Sequence, residues 1–161
     1  MEVINRVGLF TIALLNNPNI SVKRARSNHK NTNFKAPLIL VDNLASAQKI
    51  GSSDKYNGSS EVLSYGDYYK QVFTFDIYGT NAYTNAQLLS GLLRSQRSSE
   101  LQRANGLTVY RPSSINNLKI LVGTEYNERY QIEVMIGYWD NIDVGTLRID
   151  TVEPNLTLIE Q

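Results

Sequence analysis

An α+β fold, a mostly antiparallel sheet with helices packed on one face, is what this sequence predicts. Three observations carry it. Residues 62–78 and 129–139 alternate apolar and polar side chains with the period of a strand. Residues 3–16 and 82–93 repeat apolar residues at helical spacing. The strands also come in runs with one main helix between them, rather than in regular β–α alternation, which points to antiparallel pairing.

The first helix rests on Val3, Val7, Phe10 and Leu14, with Ile4, Ile12 and Leu15 widening the stripe. Asn16-Asn17-Pro18 stops it, because proline disfavours helix in the residue before it. A short strand is expected from Ile20 to about Arg26, followed by a polar loop, SNHKNTNFK. PLILVDNL is a nearly continuous apolar run and suits a strand buried on both faces.

Residues 45–61 are polar and rich in Ser and Gly, with only Ile50 and Tyr56 as apolar anchors. They read as a functional loop or as the tip of a long β-hairpin, an arm extending beyond the domain. The strand up to Tyr78 puts Phe73, Phe75 and Ile77 on one face. Gly79 supplies a turn, Thr80 or Asn81 is the expected cap, and Ala82, Ala86, Leu89 and Leu93 form the next helical face. Arg94 and Arg97 suit the C-terminal dipole of that helix. SSELQRANG adds a further helical turn or two, ended by Gly106.

The rest reads as strands: LTVYRP, LKILVG, RYQIEVMIGYW and GTLRIDTVE, with 153–161 a short C-terminal tail. The 161 residues fit a single domain, 1–161, with a real core.

Composition narrows the function. No cysteine is present, so disulfides and thiolate metal sites are excluded. No stretch approaches the roughly 20 apolar residues of a membrane helix, so no membrane partner is expected. The N-terminus lacks a charged leader and a small-residue cleavage site, and no signal peptide is expected. His29 is the only histidine and sits in a polar loop, where neither a catalytic triad nor a histidine metal site forms around it. Asp140 and Asp143, in WDNID, read as a loose acidic loop without the ligand spacing of a calcium site. Glu128 and Glu133 flank Arg129 and read as its surface ion-pair partners. No catalytic set, metal site or cofactor is expected.

Two features remain for interaction. The net charge is only +1, yet between Glu2 and Asp42 no acid occurs, while Lys23, Arg24, Arg26 and Lys30 cluster there. They are candidate DNA- or partner-facing residues, or simply charges that keep an edge strand soluble. The ten tyrosines are the other feature. Tyr65, Tyr68 and Tyr69, with Ile50 and Tyr56, are candidate subunit-interface residues, since Tyr combines large apolar area with a polar tip. The same tyrosines fit a half-buried sheet surface equally well.

The order of elements and several strings resemble bacteriophage neck proteins of the tail-terminator type. A short helix precedes NPNISVKRARSNHKN, and a long polar excursion closes at EVLSYGDYYKQVFTFDIYGTNA. There Phe75, Asp76, Gly79, Asn81 and Ala82 match a strand carrying Phe-Asp, then a Gly, then Asn-Ala opening a helix. NERYQIEVMIGYW and GTLRIDTVE resemble the family's last two strands.

The resemblance implies a tail-terminator-like fold and a non-enzymatic, structural virion protein. It implies a homo-oligomeric ring, commonly a hexamer, that caps the tail tube protein and meets a head-side connector or adaptor. Viral DNA would pass through the lumen. The location would be the virion neck or tail, and the host cytoplasm during assembly. A head-completion or head–tail adaptor protein and a small nucleic-acid-binding module are the alternatives.

Overall fold

The computed structural model describes residues 2–26, 34–118, 120–122 and 125–145. Three helices appear there: α1 (Val3–Leu15), α2 (Ala82–Leu92) and α3 (Gln96–Asn105). The strands are β1 (Ser21–Arg24), β2 (Leu38–Asn43), β3 (Gln48–Asn57), β4 (Val62–Tyr78), β5 (Leu107–Val109), β6 (Asn116–Asn117), β7 (Ile120–Val122), β8 (Glu125–Asn127) and β9 (Arg129–Gly145). The expected closing strand from Thr146 onward and the tail 153–161 lie outside the described residues.

Seven strands form one sheet in the order β1-β2-β4-β9-β5, with β3 also on β4 and β6 also on β9. Every pairing is antiparallel except β1 with β2. The α+β expectation therefore holds. LKILVG departs from it: β7 pairs only with β8, in a separate two-stranded ribbon.

The helices cover one face of this sheet. Ile39 and Val41 of β2, Phe73, Phe75 and Ile77 of β4, and Ile132, Val134 and Ile136 of β9 all point beneath them and are buried. From above, α1 contributes Ile4, Val7, Phe10 and Leu14, and α2 contributes Ala82, Ala86 and Leu89. Thr11 is fully buried in that stripe, and its hydroxyl is satisfied by donating to the Val7 carbonyl at 2.7 Å.

Two arginines clasp α1 to α3. Arg6 donates to the Asn105 carbonyl (2.7 Å) and the Gly106 carbonyl (2.6 Å) at the α3 C-terminus. Arg97, at the start of α3, donates to the Ala13 carbonyl in the last turn of α1 at 2.7 Å. Each cation meets the negative end of the other helix. The dipole served by Arg97 is thus that of α1, not of its sequence neighbour α2. Arg94 does turn back on α2, donating to the Ser90 hydroxyl at 3.2 Å.

The strand-to-helix turn after β4 explains two of its residues. Gly79 has φ +88°, and a Cβ there would lie 2.1 Å from the Ala36 carbonyl oxygen. Only glycine fits. Asn81 occupies the N-cap position of α2 in the left-handed region (φ 61°), but its side chain makes no capping hydrogen bond. Asparagine is there for its backbone, not as the side-chain cap the sequence predicts. Ser95 is a true cap, its hydroxyl accepting from the Ser98 N–H of α3 at 3.2 Å.

Candidate assembly surface

β4 and β9 each have 17 residues and pair without interruption from Val62–Gly145 to Tyr78–Arg129. A strand of that length spans about 55 Å, more than the helix layer covers. Beyond Gln71 the ribbon leaves the helices, and β3 joins its other side, Gln48 to Asn57 running against Lys70 to Val62. The polar excursion is therefore a strand and a hairpin rather than a loop, and it makes a three-stranded arm. The reading of Asp140 and Asp143 as a loose acidic loop is overturned as well: both sit in β9, opposite Asp67 and Ser64. Asp and Asn are poor strand formers, but a continuous ladder with β4 overrides that preference.

Residues opposite each other in a ladder share a face. The helix-facing side of the ribbon continues into the arm as Leu63, Tyr65, Ile142 and Val144, with Tyr56 of β3 beside Leu63. No described helix covers these residues. Ile142 is 65% exposed, the most of any large hydrophobic residue described. Ile50 is also exposed and sits in an irregularity of β3, where the register shifts between Lys49 and Gly51.

The candidate interface residues divide accordingly. Ile50, Tyr56 and Tyr65 lie exposed on the arm. Tyr68 and Tyr69, adjacent in sequence, point to opposite faces and are used inside the chain. Tyr69 stacks on Tyr138 at 5.8 Å on the helix side. The Tyr138 hydroxyl donates to Gln71 Oε1 (3.2 Å), and Gln71 Nε2 donates to the Ala45 carbonyl (2.7 Å), which fixes the root of the arm. Tyr68 packs on Trp139 and crosses Gly137, where a Cβ would sit 2.0 Å from its hydroxyl oxygen. Burial raises the Tyr138 hydroxyl above its ordinary pKa. The neighbouring Tyr110, hydrogen-bonded to Tyr68, is lowered.

The basic run divides too. Val22 and Arg24 share the helix-side face with Ile39 and Val41, whereas Lys23 faces the other way beside Leu40. Arg24 pairs with Glu2 at 2.8 Å and Arg26 with Asp42 at 2.9 Å. The two acids that bound the acid-free run thus fold back to neutralise it. Lys23 has no ion-pair partner among the described residues. Lys30 and His29 lie outside the described residues.

A second apolar surface escaped the sequence reading. Between α1 and the outer side of β1 runs a groove of about 320 Å³, lined by Gly8, Leu9, Ile12 and Val22 and rimmed by Lys23 and Arg24. Leu9 and Ile12 are each 51% exposed. The helical spacing of Ile12 makes it part of a broad core stripe, but the helix turns it past the sheet edge, beside Leu9, which the stripe does not include.

The other face of the sheet carries the main internal polar cluster. Arg129 donates to both Asp76 oxygens (3.2 and 2.9 Å), and Gln131 Nε2 donates to Oδ1 (3.0 Å). Asp76 is the partner of Arg129, correcting the flanking glutamates expected from the sequence. Burial opposes the Arg129 charge, but the Asp76 carboxylate outweighs it and raises the arginine pKa further. Among the described residues no group of three His, Cys, Asp or Glu side chains converges as a metal site, and no helix is long and apolar enough to cross a membrane.

The described residues thus form a sheet-and-helix body that leaves apolar residues exposed on the arm and in the α1–β1 groove. All 161 residues, 1–161, match the model of the phage neck terminator protein family, and the chain belongs to that family. It is accordingly a structural protein of the bacteriophage virion, with a place in the neck and tail. Among curated proteins, none matches the chain.

Proposed function

We propose that this chain is the subunit of a closed homo-oligomeric ring, a hexamer, that caps the tail tube and joins it to the head-side connector or adaptor. Viral DNA passes through the lumen, and subunits assemble in the host cytoplasm before joining the particle. The carrying observation is the arm. A three-stranded extension with Tyr56, Tyr65 and Ile142 exposed on one face is an unpartnered surface of the kind that marks association. Identical subunits joined through two different surfaces close into a ring when the rotation closes.

Lys23, Arg24, Arg26 and Lys30 belong, in this reading, to a protein-facing rim rather than to a DNA-binding patch. The pairing of Arg24 with Glu2 and of Arg26 with Asp42 leaves too little net charge for strong phosphate binding. The same argument disfavours a free-standing nucleic-acid-binding module.

The test replaces residues 47–59 with a short Gly-Ser turn and compares both proteins by native mass spectrometry and negative-stain imaging. The unaltered chain is expected to form sixfold rings. The shortened chain is expected to keep its circular dichroism spectrum and remain monomeric. Normal rings from the shortened chain, or a natural chain that stays monomeric and never joins tails, would overturn the proposal.

A further inference from the structure

Several edges of the main sheet carry no described partner strand, the outer sides of β3 and β5 among them, but two of these edges are chemically complementary. One is the outer side of β1, since β1 pairs only with β2. The other is the outer side of β9 beyond Tyr138, where β5 has ended. The first edge holds Lys23 and Arg24 and opens into the apolar groove of Leu9, Ile12 and Val22. The second, Trp139–Gly145, has two aspartates, no cation, and the bare Ile142 and Val144. Each lacks what the other presents.

Strand direction limits how they can meet. β1 is parallel to β2, β2 is antiparallel to β4, and β4 is antiparallel to β9. β1 and β9 therefore run parallel within one chain. A second copy that extends the sheet through its β1 edge, with its helices on the same side, must pair β1 parallel to β9.

Register follows from the side chains, because a one-residue slip exchanges the faces. Val22 and Ile142 both face the helix side. Setting them abreast puts Lys23 beside Asp143 on the opposite face and brings Val144 toward the groove. Moving Val22 to Asp140 would bury a carboxylate against Leu9 and Ile12. Moving it to Val144 would put Lys23 beside Gly145 and lose the ion pair. Asp143 is available: it accepts a hydrogen bond from Ser64 (2.6 Å) and has no cation partner among the described residues.

We propose that the distal β9 segment of one copy adds in parallel to the β1 edge of a second copy, seating Ile142 in its α1–β1 groove and pairing Asp143 with its Lys23. This deepens the ring reading and rests on it, because it names the two unlike surfaces that a closed ring requires.

The chain has no cysteine, so introduced thiols report without background. Lys23→Cys and Asp143→Cys are made as separate proteins, and neighbouring strands hold Cα atoms within disulfide range. On mild oxidation, the mixture is expected to give a covalent heterodimer at least tenfold more abundant than either protein alone gives of its own dimer. A protein carrying both changes is expected to give a ladder up to the full oligomer.

Gly8→Leu is the second arm of the test. A Cβ on Gly8 meets nothing within 4 Å, and leucine favours helix, so the domain stays folded while the groove fills. The cross-link is then expected to fall at least tenfold. Dimers from Asp143→Cys alone would mean a symmetric β9–β9 contact and overturn the proposal. So would a bond closed only within one chain, or a cross-link indifferent to Gly8→Leu. Native mass spectrometry separates the two readings. Rings without the cross-link refute this contact and leave the ring intact, whereas a chain that stays monomeric refutes both.

Discussion

The two halves of the β4–β9 ribbon share one ladder and one alternation of side chains, yet differ in fate. In the proximal half, Phe73, Phe75, Ile132 and Val134 lie beneath α1 and α2 and are fully buried. In the distal half, Tyr65, Ile142 and Val144 occupy the same face and are bare. The β4–β9 ladder is continuous through both. The difference shows that strand formation and core formation are separate decisions. Hydrogen bonding needs only the neighbouring strand, whereas burial needs a second layer. An apolar face that outruns its helices is a surface awaiting something else.

Mutations should sharpen that contrast. Phe75→Ala, in the covered half, should cost about 3–5 kcal/mol by denaturant unfolding. An unchanged unfolding midpoint would break the distinction at its strongest point. On the far face, Asp76→Ala should cost about 1–3 kcal/mol, because it strands a half-buried arginine without its carboxylate. Asp76→Asn should recover part of this loss, since the amide oxygen still accepts one bond.

The helix clasp is a smaller effect. Arg6→Ala should cost about 1–2 kcal/mol, seen as faster amide exchange at the α1–α3 contact. The root of the arm adds a pH dependence. Tyr138 there, and Tyr78 at the opposite end of β4, have folded pKa values raised above the ordinary tyrosine value of about 10, chiefly by burial. Their contribution is therefore complete below about pH 10 and lost as pH rises through the folded values. Melting temperature should fall on the alkaline side, and Tyr138→Phe should blunt that fall. In the bare half, Ile142→Ala should change monomer stability by less than about 0.5 kcal/mol. A large loss there would mean that Ile142 is covered within its own chain.

The five residues behind the family resemblance have structural work in this chain. Phe75 and Ala82 are buried, Asp76 holds Arg129, Gly79 avoids the Ala36 carbonyl, and Asn81 takes a left-handed backbone. A pattern legible without any catalytic residue is what such local demands leave behind.

Local chemistry accounts for what the sequence determined by itself. Periodicity named the core residues of α1, α2, β4 and β9, and Gly79 and Gly106 marked real turns, since these depend on side chains a few positions apart. Tertiary structure decided the rest. It put Arg24 and Tyr69 on the helix side and Lys23 and Tyr68 on the other, because the helices cover only one face of the sheet. It gave Arg129 to Asp76, 53 positions away, rather than to its adjacent glutamates. It drew Asp140 and Asp143 into a strand, and it left Leu9, Ile12 and Ile142 uncovered. Each outcome turns on which segment lies across the sheet or over it, and no residue carries that information alone.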